Sequence, residues 1–454
     1  MRLERIRLRN FRCFEELTVE FDPKLTVIVA ENGAGKTAIL DAIAIGFGRY
    51  LTKLPGVSGR TTKETDIRID KQERRTPFMM LAWEATSSED GAIVWSGGRK
   101  RDGAVNAAVI KGLLSDELES LLKAGLKQID EFTLRLVQAE TEESAYFLPV
   151  IAYYGTNRAI REEVQRRRGF KKVFSRFEAL AGALEPDSRF RAAFEWFNAM
   201  EDQERREKES KRDFDYRLPE LQLVRDAIVR MLPVGFGNPR TEIRPLRFVI
   251  DRLMPDGVTR TLRISQLSDG YRVVLGLVMD LARRMAQANS RMAIGGMQIT
   301  NPLDLPAIAL IDEVDLHLHP AWQQHVLTDL TRTFRGTQFI VTTHSPQVLS
   351  TVKRENIRII GPDANGKIIA APPLAMTYGE PSGDVLHSVM MVDPQPPVSE
   401  KADLQRLTEW VDQGNYQSAE AKQLMQSLSA ALGEQHPQLQ RLQRSIQRQE
   451  ALKG

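Results

Sequence analysis

Near the start of the chain, apolar residues fall at every second position. Ile6 and Leu8 alternate with Arg5, Arg7 and Arg9, and Leu17, Val19 and Phe21 repeat that period. Such alternation predicts strands with one face in a core and the other in water. Asp22-Pro23 turns the chain into Leu25–Ala30, where nearly every position is apolar and a strand buried on both faces is expected. After a glycine-rich turn the period changes, and Ile39, Leu40, Ile43 and Phe47 recur at helical spacing. Pro55 to Lys63 then reads as a loop. Thr65 to Asp70, Phe78 to Thr86 and Ala92 to Ser96 read as an antiparallel β region, and residues 113–128 as a short helix.

Helical spacing dominates from Ile160 to Leu232, marked by Phe170, Phe174 and Phe177, by Phe190, Phe194 and Phe197, and by Val224, Ile228 and Met231. The polar stretch EDQERREKESKRDFDYR within it predicts an exposed, charged connection, and the absence of sustained heptads argues against a long coiled-coil arm. Leu246 to Ile250 and Thr261 to Ile264 are β-like. A helix carrying Val274, Leu277, Val278, Leu281 and Met285 follows. Ala307 to Ile311 and Gln338 to Thr342 are short, nearly continuous apolar runs, separated by a helical segment with Val326, Leu330 and Phe334. Runs of this kind mark a parallel sheet covered by helices. Beyond the proline-rich VDPQPPVSE come three short amphipathic helices. Leu404, Leu407 and Val411 mark the first, Leu424, Leu428 and Leu432 the second, and Leu439, Leu442 and Ile446 the third, with Gly414, Gly433 and Pro437 as their boundaries.

The expected fold is therefore α/β. Its mixed-sheet head has an N-terminal lobe over 1–159 and a C-terminal lobe over 233–392, split by a helical insertion over 160–232. A helical appendage for partner docking or oligomerisation covers 393–454.

Composition narrows the setting. Hydrophobic residues make up 42% of the 454, enough for a sizeable core, and a formal net charge of +3 leaves nucleic-acid binding to local clusters. Arg161, Arg166, Arg167, Arg168, Lys171, Lys172 and Arg176 form one such cluster, a candidate DNA contact set against the plainer reading of a solvated helix face. The single cysteine, Cys13, excludes an intramolecular disulfide framework and fits a reducing compartment. No apolar run is long enough to span a bilayer, and MRLERIRLRNF lacks the apolar core of a signal peptide. The expectation is a cytoplasmic protein with no membrane partner.

The most informative chemistry lies in LTVIVAENGAGKTAILD, Leu25 to Asp41. Strand, glycine-rich loop, Gly-Lys-Thr and helix follow one another in the order of a P-loop. Asn32, Gly33, Ala34 and Gly35 let backbone N–H groups face phosphate oxygens, Lys36 supplies a point charge, and the Thr37 hydroxyl suits Mg²⁺. Ala30 replaces the first glycine of the usual pattern. The expected ligands are ATP and Mg²⁺.

IALIDE, Ile308 to Glu313, is a buried strand ending in two carboxylates. Asp312 is placed to meet Mg²⁺ beside Thr37, and Glu313 to orient and deprotonate an attacking water. Leu267-Ser268-Asp269-Gly270 precedes a helix; with a P-loop upstream, Ser268 and Gly270 become a second phosphate-binding surface rather than a simple helix cap. His344 follows an apolar strand and would face the ligand crevice. His317 and His319 alternate as metal ligands do, but without further His or Cys a structural or dimer-contact role is favoured.

This ordered set resembles the ATPase heads of ABC-type proteins, in particular the RecF/SMC-like group. Asn10-Phe11-Arg12 resembles its N-terminal element, in which the arginine helps hold nucleotide. AENGAGKT resembles its Walker A motif, LSDG its signature loop, IALIDE its Walker B motif, Asp315 its D-loop and His344 its switch histidine. Gln138 is a candidate for the Q-loop. More narrowly, DEVDLHLHP, THSPQVL and TYGEPSGDVL resemble the ATPases of bacterial anti-phage systems, the Septu type above all, with OLD and PARIS types similar. That likeness implies a slow ATPase forming an ATP-sandwiched homodimer or larger even-numbered homo-oligomer, which controls a separate HNH-type nuclease. No TOPRIM or HNH motif occurs in the chain. A RecF-like DNA-repair ATPase is the alternative, and a transporter subunit is disfavoured by the NFRCF start and by the insertion.

Overall fold

The computed structural model describes every residue except 71, 88, 159–173, 187–189, 244–245, 290–292, 295–296, 299–300 and 454. In chain order the first half holds β1 (Arg2–Phe11), β2 (Phe14–Glu20), β3 (Leu25–Val29), α1 (Lys36–Thr52), β4 (Phe78–Ser87), β5 (Gly91–Lys100), α2 (Ala107–Leu113), α3 (Asp116–Ala124), α4 (Lys127–Thr141) and β6 (Val150–Tyr154). Next come α5 (Phe190–Lys211), α6 (Pro219–Met231), β7 (Phe236–Ile243), β8 (Leu246–Leu253), β9 (Thr259–Arg263) and α7 (Asp269–Asn289). The minor pair β10 (Ala293–Ile294) and β11 (Met297–Gln298) precedes β12 (Ala307–Ile311), α8 (Pro320–Gln323), α9 (Val326–Thr333), β13 (Thr337–Thr342), α10 (Pro346–Leu349), β14 (Ile357–Pro362) and β15 (Ile368–Ala371). The chain ends in α11 (Ser382–Ser388), α12 (Lys401–Asp412), α13 (Ala419–Leu432) and α14 (Pro437–Lys453). It divides into two compact units, Met1–Val385 and Leu386–Gly454.

A six-stranded sheet in the order β15-β14-β3-β13-β12-β6 organises the first unit. All of its pairings are parallel except that of β14 with β15. β3, β12, β13 and β6 have almost no exposed side chain, as expected of strands covered on both faces. The parallel register brings the ends of β3, β12 and β13 to one edge, where the loops after them converge. A second, antiparallel sheet runs β2-β1-β4-β5. Trp83 and Trp95 from it donate indole N–H groups to the carbonyls of Ala42 and Gly46, each at 3.0 Å, and so fix α1. The architecture is α/β, a mostly parallel sheet accompanied by an antiparallel one.

The structure corrects several local expectations. Residues Thr65 to Asp70 form a 3₁₀ turn and isolated bridges instead of a strand. The helix expected over 113–128 is broken, because Ser115 caps α3 and Gly125, at φ 55°, ends it. Helix α4 and strands β6 and β7 add to the reading. Helices α5 and α6 pack on α7 within the first unit. Most of the basic cluster lies outside the described residues. Its described member, Arg176, is committed internally to Glu140, to the carbonyls of Tyr146 and Ala288, and to the Tyr146 ring.

In the second unit α12, α13 and α14 close around Leu404, Leu407, Val411, Leu428, Leu439 and Leu442. Their bounds follow the apolar spacing, with Gly414 and Gly433 at positive φ after the first two.

Candidate functional site

The loop between β3 and α1 is shaped by two glycines in left-handed conformation, Gly33 at φ 80° and Gly35 at φ 95°. A side chain at Gly35 has no room: a Cβ there would come within 2.5 Å of the Cys13 sulfur and the Phe14 ring. The turn between β1 and β2 thus braces the loop. Asn32 and Gly33 are exposed, Ala34 and Gly35 half-buried, and the Ala34 N–H bonds to the Glu31 carbonyl. Lys36 is buried and its Nζ donates to the carbonyls of Ala30 and Glu31, at 2.9 and 3.0 Å. Burial lowers the pKa of this ammonium, with Asp312 and Glu313 pulling it back up. Arg12 lies on the same brace, paired with Asp41 at 2.6 Å and Asp66 at 2.9 Å.

Asp312 sits just past β12 and is buried. One carboxylate oxygen accepts from Thr37 Oγ1 at 2.7 Å, and the other from Thr342 Oγ1 at 2.6 Å. The same Thr342 hydroxyl accepts the Glu313 N–H at 2.7 Å. Glu313 itself is half-buried and holds φ 48°, a conformation few side chains adopt without outside support. Asp315 accepts from Thr343 Oγ1 at 2.5 Å. The structure therefore gathers Lys36, Thr37, Asp312 and Glu313 at one edge of the sheet.

Arg158 escaped the sequence reading. It follows β6, is 1% exposed, and donates to the backbone carbonyls of Gly155, Asp312 and Glu313. In sequence it is a lone arginine in the polar run GTNR, and its burial depends on contacts with residues far along the chain.

Ser268 is exposed just ahead of α7, and Gly270 is buried in that helix's first turn. A Cβ on Gly270 would stand 2.6 Å from the His317 carbonyl, so the glycine lets the loop after β12 approach α7. His317 is exposed at φ 61°, while His319 Nδ1 accepts the Ala321 N–H and caps α8. His344 is half-buried beyond the end of β13. Gln138 is exposed on α4, bonded to Glu142, and is not brought to this group.

Residues 5–224 match the family model described as an AAA domain. Residues 165–350 match a second AAA-domain model, whose description adds an AbiEii toxin of a type IV TA system. Over these residues the chain is similar to AAA-domain proteins, and it is an ATPase. Among relatives of the ATPase, "Retron Ec83 probable ATPase" of Escherichia coli is 27% identical, over 99% of this chain and 87% of that protein. "Septu protein PtuA" of Bacillus mycoides is 23% identical, over 76% of this chain and 38% of that protein. The "SMC head domain from Thermotoga maritima" superposes with a TM-score of 0.42 at 16% identity, covering 83% of this chain and all of that one.

The donors at the sheet edge suit the ligands of such an ATPase. A carboxylate and a hydroxyl in mutual contact, Asp312 and Thr37, are the oxygen pair expected around Mg²⁺ beside a triphosphate. No helix among the described residues is long and apolar enough to cross a membrane.

Proposed function

We propose that this ATPase is the nucleotide-dependent subunit of an anti-phage defence complex that senses nucleotide or invading DNA and controls a separate HNH-type nuclease. The carrying observation is the linked set Thr37–Asp312–Thr342–Glu313, in which the residues suited to phosphate, metal and water lie within successive hydrogen bonds. Retron and Septu ATPases among its relatives support the defence setting.

In this reading the backbone of Asn32 to Gly35 cradles the triphosphate, and Lys36 exchanges its carbonyl partners for the outer phosphates. Arg12 borders the nucleotide from the brace. Thr37 and Asp312 would hold Mg²⁺, which neutralises phosphate charge when bound. Glu313 takes the proton of the attacking water, and His344 contacts that water or the γ-phosphate. Ser268 and Gly270 meet the γ-phosphate of the nucleotide held by a second copy, which makes the working species an ATP-sandwiched dimer.

The test is phage plating on cells carrying the ATPase with a neighbouring nuclease gene. Protection by the wild type that Lys36→Ala and Glu313→Gln both abolish is the expected outcome. Equal plating with and without the wild-type pair would reject the defence reading while leaving ATP hydrolysis untouched.

A further inference from the structure

Glu313 is held at both of its peptide groups by side chains from other parts of the chain. Its N–H is accepted by the Thr342 hydroxyl at 2.7 Å, from the end of β13. Its carbonyl accepts from Arg158 Nη2 at 2.5 Å, from the segment after β6. The preceding carbonyl, that of Asp312, accepts from Arg158 Nη1, which also donates to Gly155. Between these two anchors Glu313 keeps φ 48°, a left-handed conformation that is unfavourable for a non-glycine residue unless the surroundings over-determine it.

From this geometry we infer that Arg158 is a positioning residue for the hydrolytic step, acting through the backbone of Asp312 and Glu313 and not through contact with nucleotide. Three features carry the inference. First, the guanidinium is almost wholly inside the protein at 1% exposure, so its desolvation must be offset by the bonds it makes. Second, each of its hydrogen-bond partners among the described residues is a backbone carbonyl, and two of the three belong to the carboxylate-bearing pair. Guanidinium is the one side-chain group whose planar fork can span two successive carbonyls. Third, β6 runs parallel to β12 with Tyr154 opposite Ile311, which delivers Arg158 to the end of the carboxylate strand. Burial lowers the pKa of Arg158 to about 10, against the pull of Asp312, Asp315 and Glu313, so it stays cationic at neutral pH.

The consequence for the reaction is directional. Removing Arg158 frees the carbonyls of Gly155, Asp312 and Glu313 and lets Glu313 relax toward ordinary φ, which moves its carboxylate away from the water it must activate. The loop of Gly33 and Gly35, together with Lys36 and Thr37, makes no bond to Arg158, so nucleotide binding should survive. The loss belongs in kcat, not in affinity.

The inference rests on the assignment of Glu313 as general base, and the experiment separates the two. Arg158→Met and Arg158→Lys are compared with Glu313→Gln and with the double variant Arg158→Met/Glu313→Gln. The readouts are equilibrium binding of labelled ATP, steady-state hydrolysis and thermal unfolding. Arg158→Met is expected to keep ATP affinity within about twofold and to lose about 10- to 100-fold in kcat, the range typical of removing a group that orients a reactive one. Arg158→Lys, able to reach one carbonyl, should recover part of that loss. In the double variant Arg158→Met should add nothing to Glu313→Gln, because both changes disable one unit.

Wild-type kcat in folded Arg158→Lys and Arg158→Met, with Glu313→Gln inactive, overturns the inference and leaves the base intact. Normal hydrolysis by Glu313→Gln rejects the base and the inference with it. Additive losses in the double variant also overturn it. If Arg158→Met does not fold, Arg158→Lys decides alone: reduced kcat at unchanged ATP affinity supports the inference, and unchanged kcat overturns it.

Discussion

Thr37 Oγ1 and an Asp312 carboxylate oxygen lie 2.7 Å apart, joining the start of α1 to the end of β12 across 275 residues of chain. In the proposed function this contact marks the place of metal and phosphate chemistry, because Lys36 and Glu313 are the sequence neighbours of its two ends. Asp312→Asn keeps the size of the side chain but removes its charge. Mg²⁺-dependent hydrolysis should fall by at least about tenfold, and the Mg²⁺ concentration giving half-maximal rate should rise. A Mg²⁺ titration of the rate checks both, and an unchanged half-maximal concentration would count against Asp312 as a ligand.

Glu313→Gln should bind ATP with wild-type affinity yet hydrolyse it about 10²- to 10⁴-fold more slowly, since an amide cannot accept the proton of water. Labelled-ATP binding and single-turnover hydrolysis check this together. If the rate holds at the wild-type level, His344 becomes the leading group for water activation.

Asp280 on α7 is 2% exposed and bonded to Arg283, Arg284 and the Tyr154 hydroxyl. Burial works to raise its pKa, but the charges of Arg284 and Arg283 override burial and hold it at about 2. Asp280→Ala leaves two buried guanidinium groups without their carboxylate and should destabilise the fold by about 3–5 kcal/mol at neutral pH. The pH dependence follows in sign. A depressed folded-state pKa stabilises above the unfolded value near ~3.9, and that contribution fades as pH falls toward 2. Urea unfolding of wild type and variant should therefore converge between about pH 4 and pH 2, and a constant gap would exclude the ionised triad as its source.

Gly270→Ala places a methyl group where the His317 carbonyl stands at 2.6 Å. Backbone cannot yield there as a flexible side chain can. A cost of about 1–3 kcal/mol is expected in chemical denaturation, with reduced hydrolysis as α7 and the loop after β12 separate. Wild-type stability in this variant would mean that the two segments are not tightly apposed.

What the sequence revealed and what it hid follow one physical line. The P-loop and IALIDE are legible because local chemistry dictates them: glycines that must adopt positive φ, and apolar runs ended by charge. The tail helices are legible through spacing alone, with Leu404, Leu407 and Val411 all buried on one face. β6 was hidden although VIAYY is as apolar as many strands, because only pairing with Ala307–Ile311 makes it one. Helix α7 presents an apolar stripe in sequence, yet Asp280, Arg283 and Arg284 are buried too, both arginines paired with the one carboxylate. Arg158 was hidden for the same reason: its environment is assembled from residues near 155 and 312 that no local pattern connects.

The last expectation concerns assembly. Lys36 opens α1 and Ser268 lies just ahead of α7, and both are suited to phosphate. If one nucleotide is to meet both, two copies must pack head to tail about a two-fold axis and enclose two ATP molecules. Ser268 is exposed in the single chain, as a residue awaiting a partner's nucleotide should be. Ser268→Arg should therefore leave ATP binding by one chain unchanged while blocking closure, because a bulky cation replaces a small hydroxyl. Lys36→Ala should abolish ATP binding, since backbone amides alone cannot offset the charge of a triphosphate. Each variant is expected to be inactive by itself. Mixed together, they form heterodimers in which one composite site keeps both Lys36 and Ser268 and the other carries both lesions. Partial recovery of hydrolysis on mixing is the predicted result, with subunit exchange followed by labelled chains. Exchange without any recovery would argue that the two motifs never share a nucleotide, and that this ATPase turns over without the sandwich.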